Sequence, residues 1–284
     1  MGNFFTKYCT TLETVSKPDS YIYRRHLTGD EIEISAENSN INIKDVINSN
    51  KFQDWINSQP EDIYISHILI QSVDYFGPNI GFIKLKATAT KNDEFIPGIV
   101  MLRGHSVAVL LLLQINDDSN PSMNGKVFTV IVTQPRIPIS KNNSEEIPAG
   151  MMDNEKNLKG VAFKEVHEET GININTNNLV YLTCGHTGTG LLDELITIYT
   201  TLVHIDMKKY NEINNSIAGN ESEGEQTIVQ IVKLDYLKTI PDLKTNGSAY
   251  AFRDRYFLDY LNIDTFKDEF NKKNNCNITI ENLY

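Results

Sequence analysis

Three glutamates, Glu165, Glu168 and Glu169, lie close together in the segment GVAFKEVHEETG at residues 160–171. If this segment is helical, their side chains fall within an arc of roughly 100° on one face. Like charges at this spacing repel one another, so a cation is expected opposite them. Hard divalent cations such as Mg²⁺ prefer carboxylate oxygens, especially where substrate phosphates and water complete the shell. Taken alone, the segment favours a solvated acidic helix face, because glutamate is a good helix former, and a divalent metal site is the alternative that its context must support.

The composition of the chain limits the kinds of partner it could have. With 284 residues, of which 40% are hydrophobic and 22% charged, it is long and apolar enough for one large or two moderate domains. A formal net charge of −11 argues against a general nucleic-acid binder, which needs a basic surface. Three cysteines, far apart in the sequence, indicate a reducing compartment without disulfides. We therefore expect a cytoplasmic globular protein that uses a small substrate.

Two segments, the longest apolar run and the N-terminus, bear on membrane attachment. The run SVAVLLLLQI, residues 106–115, has about half the ~20 residues that a membrane-spanning helix needs, so it predicts a buried strand. The N-terminal MGNFFTKYCT matches the N-myristoylation pattern at Gly2, with Thr6 in place and Cys9 as a possible second lipid site. Because the pattern is short, an ordinary, unmodified terminus is the expectation, and myristoylation is the alternative.

Alternating and β-branched residues predict the strands that would support the acidic segment. Two such segments, 63–77 and 81–90, predict a two-stranded unit, and a short helix is predicted around Val46 to Trp55. Further strands are predicted at 106–115, 127–133, 178–184, 195–204 and 227–234. The acidic helix is predicted at 158–170 and ends before Gly171. A last helix is predicted at 248–262, with Tyr250, Phe257 and Leu261 facing inward.

The acidic helix is part of a longer pattern, which extends over residues 150–172. It has Gly150 at one end, the pairs Lys164-Glu165 and Glu168-Glu169, and Gly171 near the other end. In order and spacing this pattern resembles the Nudix box of the Nudix hydrolases.

Two lysines depart from that box. Lys164 stands where the family usually has arginine, and Lys156 stands where it usually has glutamate. The ion pair that orients the box in the family cannot form between two lysines, so Asp153 and Glu155 are candidates to pair with Lys164 instead. We interpret this as a structural substitution that keeps the metal ligands.

The resemblance extends beyond the box. Segments 67–87, 97–113, 132–138, 145–153, 191–202 and 218–234 look like the plant-type ADP-sugar diphosphatases, a branch of the Nudix nucleotide-sugar pyrophosphatases. The segment CGHTGTGLL, residues 184–192, departs from those relatives. The resemblance implies metal-dependent hydrolysis of an ADP-sugar such as ADP-glucose or ADP-ribose to a nucleoside monophosphate and a sugar phosphate. UDP-sugars, or a Nudix-like nucleotide-binding module without catalysis, are the alternatives.

By this resemblance, Glu165 and Glu169 would be ligands of Mg²⁺, with Mn²⁺ as a possible substitute. Glu168 would support the same cluster directly or through water, and the carbonyl oxygen of Ala149 would be a further ligand. Gly150 would lie where the backbone passes close to the site, although an ordinary turn glycine is the alternative.

The resemblance also implies substrate-binding and catalytic residues. Arg136 would bind substrate phosphates or sugar through its planar guanidinium, and Glu146 would lie near the substrate or metals. A surface ion pair and a solvated loop charge are the respective alternatives. A carboxylate that holds a metal is a poor base, so the base is expected in the loop at 218–228. Glu223 is the first choice, with Glu225 the rival and Glu221 third, and a solvated acidic loop is the alternative.

The resulting prediction is an α+β protein with a Nudix fold, in which a mixed sheet lies between helices. Residues 1–104 would form a strand-rich region, residues 105–265 the Nudix domain and residues 266–284 a polar C-terminal tail. In similar proteins the N-terminal region helps to build a homodimer, so a homodimer is expected here.

Overall fold

The computed structural model describes residues 13–14, 20–152, 155, 157–219, 226–258 and 265–283. Gly2 and Cys9 lie outside the described residues. The chain forms two compact units. The first comprises Met1–Gly104 and Gly188–Glu194, and the second comprises His105–Thr187 and Leu195–Tyr284.

The first unit is built on a sheet of seven strands. Six strands follow one another in the order β1-β2-β3-β4-β5-β6, and the seventh, β7, pairs with β5. The bounds are β1 Glu13–Thr14, β2 Ser20–Arg24, β3 Glu31–Ala36, β4 Tyr64–Phe76, β5 Asn79–Lys91, β6 Glu94–Ile96 and β7 Ile99–Leu102. The two-stranded unit predicted at 63–77 and 81–90 is confirmed as the long antiparallel pair β4 and β5.

Two short helices cover this sheet where a single one was predicted. They are α1, Ile43–Asn48, and α2, Asn50–Asn57. The side chain of Ser49 accepts a hydrogen bond from the N–H of Phe52, so it ends one helix and caps the next. Val46 and Phe52 are buried against the apolar face of the sheet.

The second unit contains a mixed sheet of eight strands. Its order is β12-β13-β8-β9-β15-β14, with β10 added to β9 and β11 added to β8. Strands β8 and β13 run parallel, and the other pairs are antiparallel. The bounds are β8 Ser106–Ile115, β9 Val127–Arg136, β10 Lys141–Glu146, β11 Ala149–Met151, β12 Val180–His186, β13 Leu195–Ile205, β14 Ile217–Ala218 and β15 Thr227–Val232.

Helices pack on both faces of this sheet. The helix α3, Leu158–Thr170, lies on one face, while α5, Leu243–Phe257, and α6, Phe266–Asn274, lie on the other; a short helix α4, Met207–Ile213, follows β13. A hydrophobic core lies on each face of the sheet, and successive residues of β8 point into one core and then the other. Val109 thus packs on the α3 side and Leu110 on the α5 side. This burial of both faces explains the unbroken apolar run at 106–115, and the predicted α+β fold with a mixed sheet between helices is confirmed.

The C-terminal residues correct the expectation of a polar tail. They form α6 and a final helical turn, Ile280–Leu283, and they belong to the second unit. Phe266, Phe270, Ile278 and Leu283 are buried in the core beside α5. The segment is polar in composition, but these four apolar side chains are spaced so that one side faces inward.

The inward face predicted for the preceding helix also needs correction. Phe257 packs against the core as predicted, whereas Tyr250 is 57% exposed and Leu261 lies outside the described residues. Ala249, Phe252 and Tyr256 are the buried residues of this face. The helix begins at Leu243, earlier than the predicted 248, because the side chain of Asp242 caps its first turn. Among the described residues, no helix is both long and apolar enough to cross a membrane.

Candidate active site

The helix α3 has the bounds that the sequence predicts. Asn157 caps its start by accepting a hydrogen bond from the N–H of Gly160 at 3.2 Å. Gly171 ends it in the left-handed region at φ 68°, and its N–H donates to the carbonyl of His167 at 2.8 Å. Val161 and Val166 bury the apolar side of the helix against the sheet. These caps and contacts fix the helix that carries the three glutamates.

The strand β11 presents a backbone edge to this helix. It pairs with β8. The N–H of Val109 donates to the carbonyl of Pro148, and the N–H of Met152 donates to the carbonyl of His105, both at 2.9 Å. In this antiparallel alternation, the N–H and C=O of Ala149 point away from β8. The Ala149 N–H donates instead to Oε2 of Glu169 at 3.0 Å. The Ala149 carbonyl, expected as a metal ligand, therefore faces the same edge as this carboxylate.

Glu169 is a buried acid, with 4% of its surface exposed. Burial of a carboxylate is unfavourable unless hydrogen bonds or a cation compensate for the lost water. The hydrogen bond from Ala149 holds one oxygen and fixes the direction in which the side chain points.

Gly150 explains how a second carboxylate fits beside the first. A Cβ placed on Gly150 would come closer than 3.0 Å to all three atoms of the Glu165 carboxyl group. Gly150 lies within β11, paired with Val107, so it is not an ordinary turn glycine. Its missing side chain leaves the space that the Glu165 carboxyl group occupies.

Glu168 has a different environment. Its carboxylate forms an ion pair with Lys164 at 3.6 Å, one turn earlier on the same helix, and 27% of its side chain is exposed. Of the partners expected for Lys164, Asp153 lies outside the described residues together with Lys156, whereas Glu155 is exposed. The lysine that departs from the Nudix box thus offsets the repulsion between Glu168 and the neighbouring acids.

The donor set of Glu165, Glu169 and the Ala149 carbonyl suits a hard divalent cation. Mg²⁺ is commonly held by one or two carboxylates, with substrate phosphates and water as the remaining ligands. Within the described part of the chain, no three His, Cys, Asp or Glu side chains converge as a complete metal site. Glu165, Glu168 and Glu169 therefore do not form a three-carboxylate site in this part of the chain.

Arg136 and Glu146 lie together in a buried ion-pair network. The guanidinium of Arg136, at the end of β9, donates to both oxygens of Glu146 at 2.9 and 3.0 Å. Lys244, in the first turn of α5, donates to the same carboxylate at 2.6 Å and pairs with Asp242 at 3.0 Å. Burial would raise the pKa of Glu146, but these two cations outweigh it and lower the pKa to about 2. Glu146 is therefore an ionised, nearly buried acid and not a solvated loop charge.

Lys244 was not singled out from the sequence. No motif marks it, because its position beside Glu146 depends on how α5 packs against the strand pair β9 and β10. The ion pair of Arg136, which sequence analysis gave as its alternative role, is present in the structure. The pair involves a buried acid, and 39% of the Arg136 side chain stays exposed.

The three acids considered as the base, Glu221, Glu223 and Glu225, lie outside the described residues. The residues that flank them contact the end of α3. The N–H of Gly219 donates to the carbonyl of Glu168 at 2.8 Å, and the hydroxyl of Thr227 donates to the carbonyl of Glu169 at 2.8 Å. The residues at both ends of this segment are therefore hydrogen-bonded to the helix that carries the glutamates.

Comparison with known proteins gives two findings and one negative result. The chain is 29% identical over 221 residues to Nudix hydrolase 14, chloroplastic, of Arabidopsis thaliana, an alignment that covers 71% of this chain and 69% of the relative. A solved structure described as an ADP compounds hydrolase superposes with a TM-score of 0.49 and 12% identity, over 69% of this chain and 95% of that chain. No protein-family model matches the chain.

Proposed function

We propose that this chain is a Nudix hydrolase, in keeping with its 29% identity to Nudix hydrolase 14, and that it cleaves the diphosphate of a nucleotide sugar. The substrate is an ADP-sugar such as ADP-glucose or ADP-ribose, and the products are a nucleoside monophosphate and a sugar phosphate. The observation that carries the proposal is the pair of carboxylates, Glu165 and Glu169, set against the Ala149–Gly150 backbone.

Divalent metals are general in this family, and the proposed cofactor here is Mg²⁺, for which Mn²⁺ substitutes. Glu165, Glu169 and the Ala149 carbonyl would hold it, with Glu168 supporting the cluster. The metal supplies charge neutralisation for the diphosphate and lowers the pKa of water. The chain contributes the fixed geometry, because Glu169 is held by the Ala149 N–H and Glu165 fills the space beside Gly150.

We assign Glu223 as the general base that accepts a proton from the attacking water, with Glu225 as the rival. The assignment is supported by the flanking contacts of Gly219 and Thr227 with the end of α3. Six residues separate the described positions 219 and 226, and a chain of this length spans at most roughly 3.5 Å per residue. The length of the chain alone therefore limits how far residues between these positions can be from the end of α3.

Arg136 is proposed to bind substrate phosphate or sugar oxygens, and Glu146 to hold Arg136 in place for this. The two hydrogen bonds between them fix the plane of the guanidinium, 39% of the side chain is exposed, and a planar guanidinium suits phosphate oxygens. In this arrangement Glu146 acts near the substrate without binding a metal itself.

The function is tested with a turnover panel of ADP-glucose, ADP-ribose, UDP-glucose and GDP-mannose, with and without Mg²⁺. We expect Mg²⁺-dependent release of a phosphatase-sensitive monophosphate, fastest with an ADP-sugar. Preference for UDP-glucose would move the assignment to the UDP-sugar alternative. No turnover on the whole panel by folded protein would favour a nucleotide-binding module that has lost catalysis.

Assembly, location and modification are further parts of the proposal that rest on the resemblance or the sequence. A homodimer built with the N-terminal unit is checked by light scattering of the full chain. A cytoplasmic location is checked by imaging the tagged protein in cells. Myristoylation of Gly2 is checked by the intact mass of the native protein, and an unmodified terminus would end that idea.

A further inference from the structure

The last turn of α3 has carbonyl groups that the helix itself cannot satisfy. An α-helix leaves its final carbonyls without intrahelical donors. The N–H of Gly171 goes to His167, and the N–H of Ile172 goes to the side chain of Thr170. The carbonyls of Glu168 and Glu169, which belong to the proposed metal-binding residues, therefore need donors from elsewhere in the fold.

Those donors come from the adjacent strand pair β14 and β15. Ala218 and Thr227 lie opposite each other in this pair, and Gly219 follows directly. The Gly219 N–H reaches the carbonyl of Glu168, and the Thr227 hydroxyl reaches the carbonyl of Glu169, each at 2.8 Å. Thr227 has no exposed surface, so water does not replace its hydroxyl.

Glu169 is consequently held at two points. Its carbonyl accepts from Thr227, and its carboxylate accepts from the Ala149 N–H at 3.0 Å. A side chain fixed at both its backbone and its tip has one direction in which to point, and that direction faces the edge of β11. Loss of the Thr227 hydroxyl would leave a buried carbonyl without its donor, which is unfavourable enough to shift the end of the helix.

We propose that Thr227 is a positioning residue for the metal site, acting through the last turn of α3 on the carboxylate of Glu169. The inference rests on the proposed function, because it takes Glu169 to be a metal ligand. The Thr227 hydroxyl is engaged with the carbonyl of Glu169, and its role is to keep the helix end at the correct distance from Ala149. Groups that orient metal ligands in this way typically change metal affinity or activity by roughly 10- to 100-fold when removed.

The experiment measures Mn²⁺ binding to the full-length protein by the loss of the free Mn²⁺ signal in electron paramagnetic resonance, alongside turnover. Thr227→Val removes the hydroxyl with little change in shape, and Thr227→Ser keeps it. Thr200→Val is the matched control, because Thr200 is equally buried and its hydroxyl donates to the carbonyl of Leu110 at 2.9 Å, within the sheet. Thr227→Ala provides a second measurement if the valine variant does not fold.

We expect Thr227→Val to bind Mn²⁺ about 10-fold more weakly, with a fall in kcat and a substrate KM within a few-fold of wild type. Thr227→Ser should stay within about three-fold of wild type, and Thr200→Val should bind Mn²⁺ as wild type does. Unchanged Mn²⁺ affinity in Thr227→Val, or an equal loss in Thr200→Val, would overturn the inference.

The two proposals fail in different ways. Wild-type protein that binds Mn²⁺ but turns over no nucleotide sugar contradicts the proposed function, while the Mn²⁺ affinities of the variants still decide the role of Thr227. Active wild-type protein with unaltered Mn²⁺ binding in Thr227→Val contradicts the positioning role alone. Wild-type protein that binds no Mn²⁺ contradicts both.

Discussion

Replacing Gly150 by alanine should reduce catalysis far more than it reduces stability. The added methyl group would lie closer than 3.0 Å to the carboxyl carbon and both oxygens of Glu165, whereas normal contacts between carbon atoms are about 3.5–4.0 Å. The carboxyl group must therefore move by about an ångström or more. A misplacement of about 1 Å in a reacting assembly can reduce the rate by roughly 100-fold. We expect a loss in kcat of about 100-fold and weaker activation by Mg²⁺.

Folding should be much less affected by this substitution. Gly150 lies in a strand, where alanine is favoured over glycine by roughly 0.5–1 kcal/mol, and Glu165 is on a helix from which its flexible side chain can swing outward. We expect the free energy of unfolding to change by no more than about 1 kcal/mol. Gly185→Ala is the matched control, because Gly185 also lies in a strand and an added Cβ there meets no atom within 4 Å.

The assay compares kcat and the Mg²⁺ concentration for half-maximal turnover in both variants, with urea unfolding as the measure of stability. A double-mutant cycle separates the mechanism from general damage. In the Glu165→Gln background, Gly150→Ala should cost little further activity, because both changes disturb the same ligand. Additive losses, or a Gly150→Ala variant with wild-type kcat, would refute the reasoning that Gly150 makes room for Glu165.

Three further expectations concern the acids. Glu169→Gln should lower turnover at fixed Mg²⁺ by about 1,000-fold or more while the protein stays folded, and near-normal turnover would contradict its role as a ligand. Glu223→Gln should lower kcat by roughly 10²–10⁴-fold and leave KM within a few-fold of wild type. If only Glu225→Gln has this effect, Glu225 is the base instead. The pKa of Glu146, lowered from 4.5 to about 2, predicts roughly 3 kcal/mol of stability that is present above pH 4.5 and lost as the pH falls toward 2. In urea unfolding, the free energy of unfolding of the wild type should therefore be well above that of Glu146→Gln at pH 7. The difference between the two should be smaller at pH 3.

Local sequence signals were sufficient for the elements that carry the metal site. The run Ser106–Ile115 was predicted as a buried strand from its length and composition, and it is β8 with the same bounds. The bounds of α3 followed from its helical period and from Gly171, whose φ of 68° is the conformation in which glycine commonly ends a helix. These predictions succeeded because each depends on residues that are neighbours in the chain.

Contacts between distant segments could not be predicted in the same way. Lys244 is 98 residues from Glu146, and only the packing of α5 brings them together. The C-terminal residues look polar when their composition is averaged, yet Phe266 and Phe270 fill the core. On α5 the prediction was right for Phe257 and wrong for Tyr250, because Tyr250 and Tyr256 are the same residue type and only tertiary packing decides which is buried.

Two backbone features of β11 position the two principal carboxylates of the candidate site. The Ala149 N–H orients the Glu169 carboxylate by donating a hydrogen bond to it. The Glu165 carboxyl group occupies the space that a side chain on Gly150 would fill. Both features exist because β11 pairs with β8 on one edge and leaves its other edge facing α3. A partner strand on that edge would occupy the Ala149 N–H and carbonyl, and neither would then be available to the site. The described contacts of Glu165 and Glu169 with Ala149 and Gly150 are therefore a property of how β11 lies against α3.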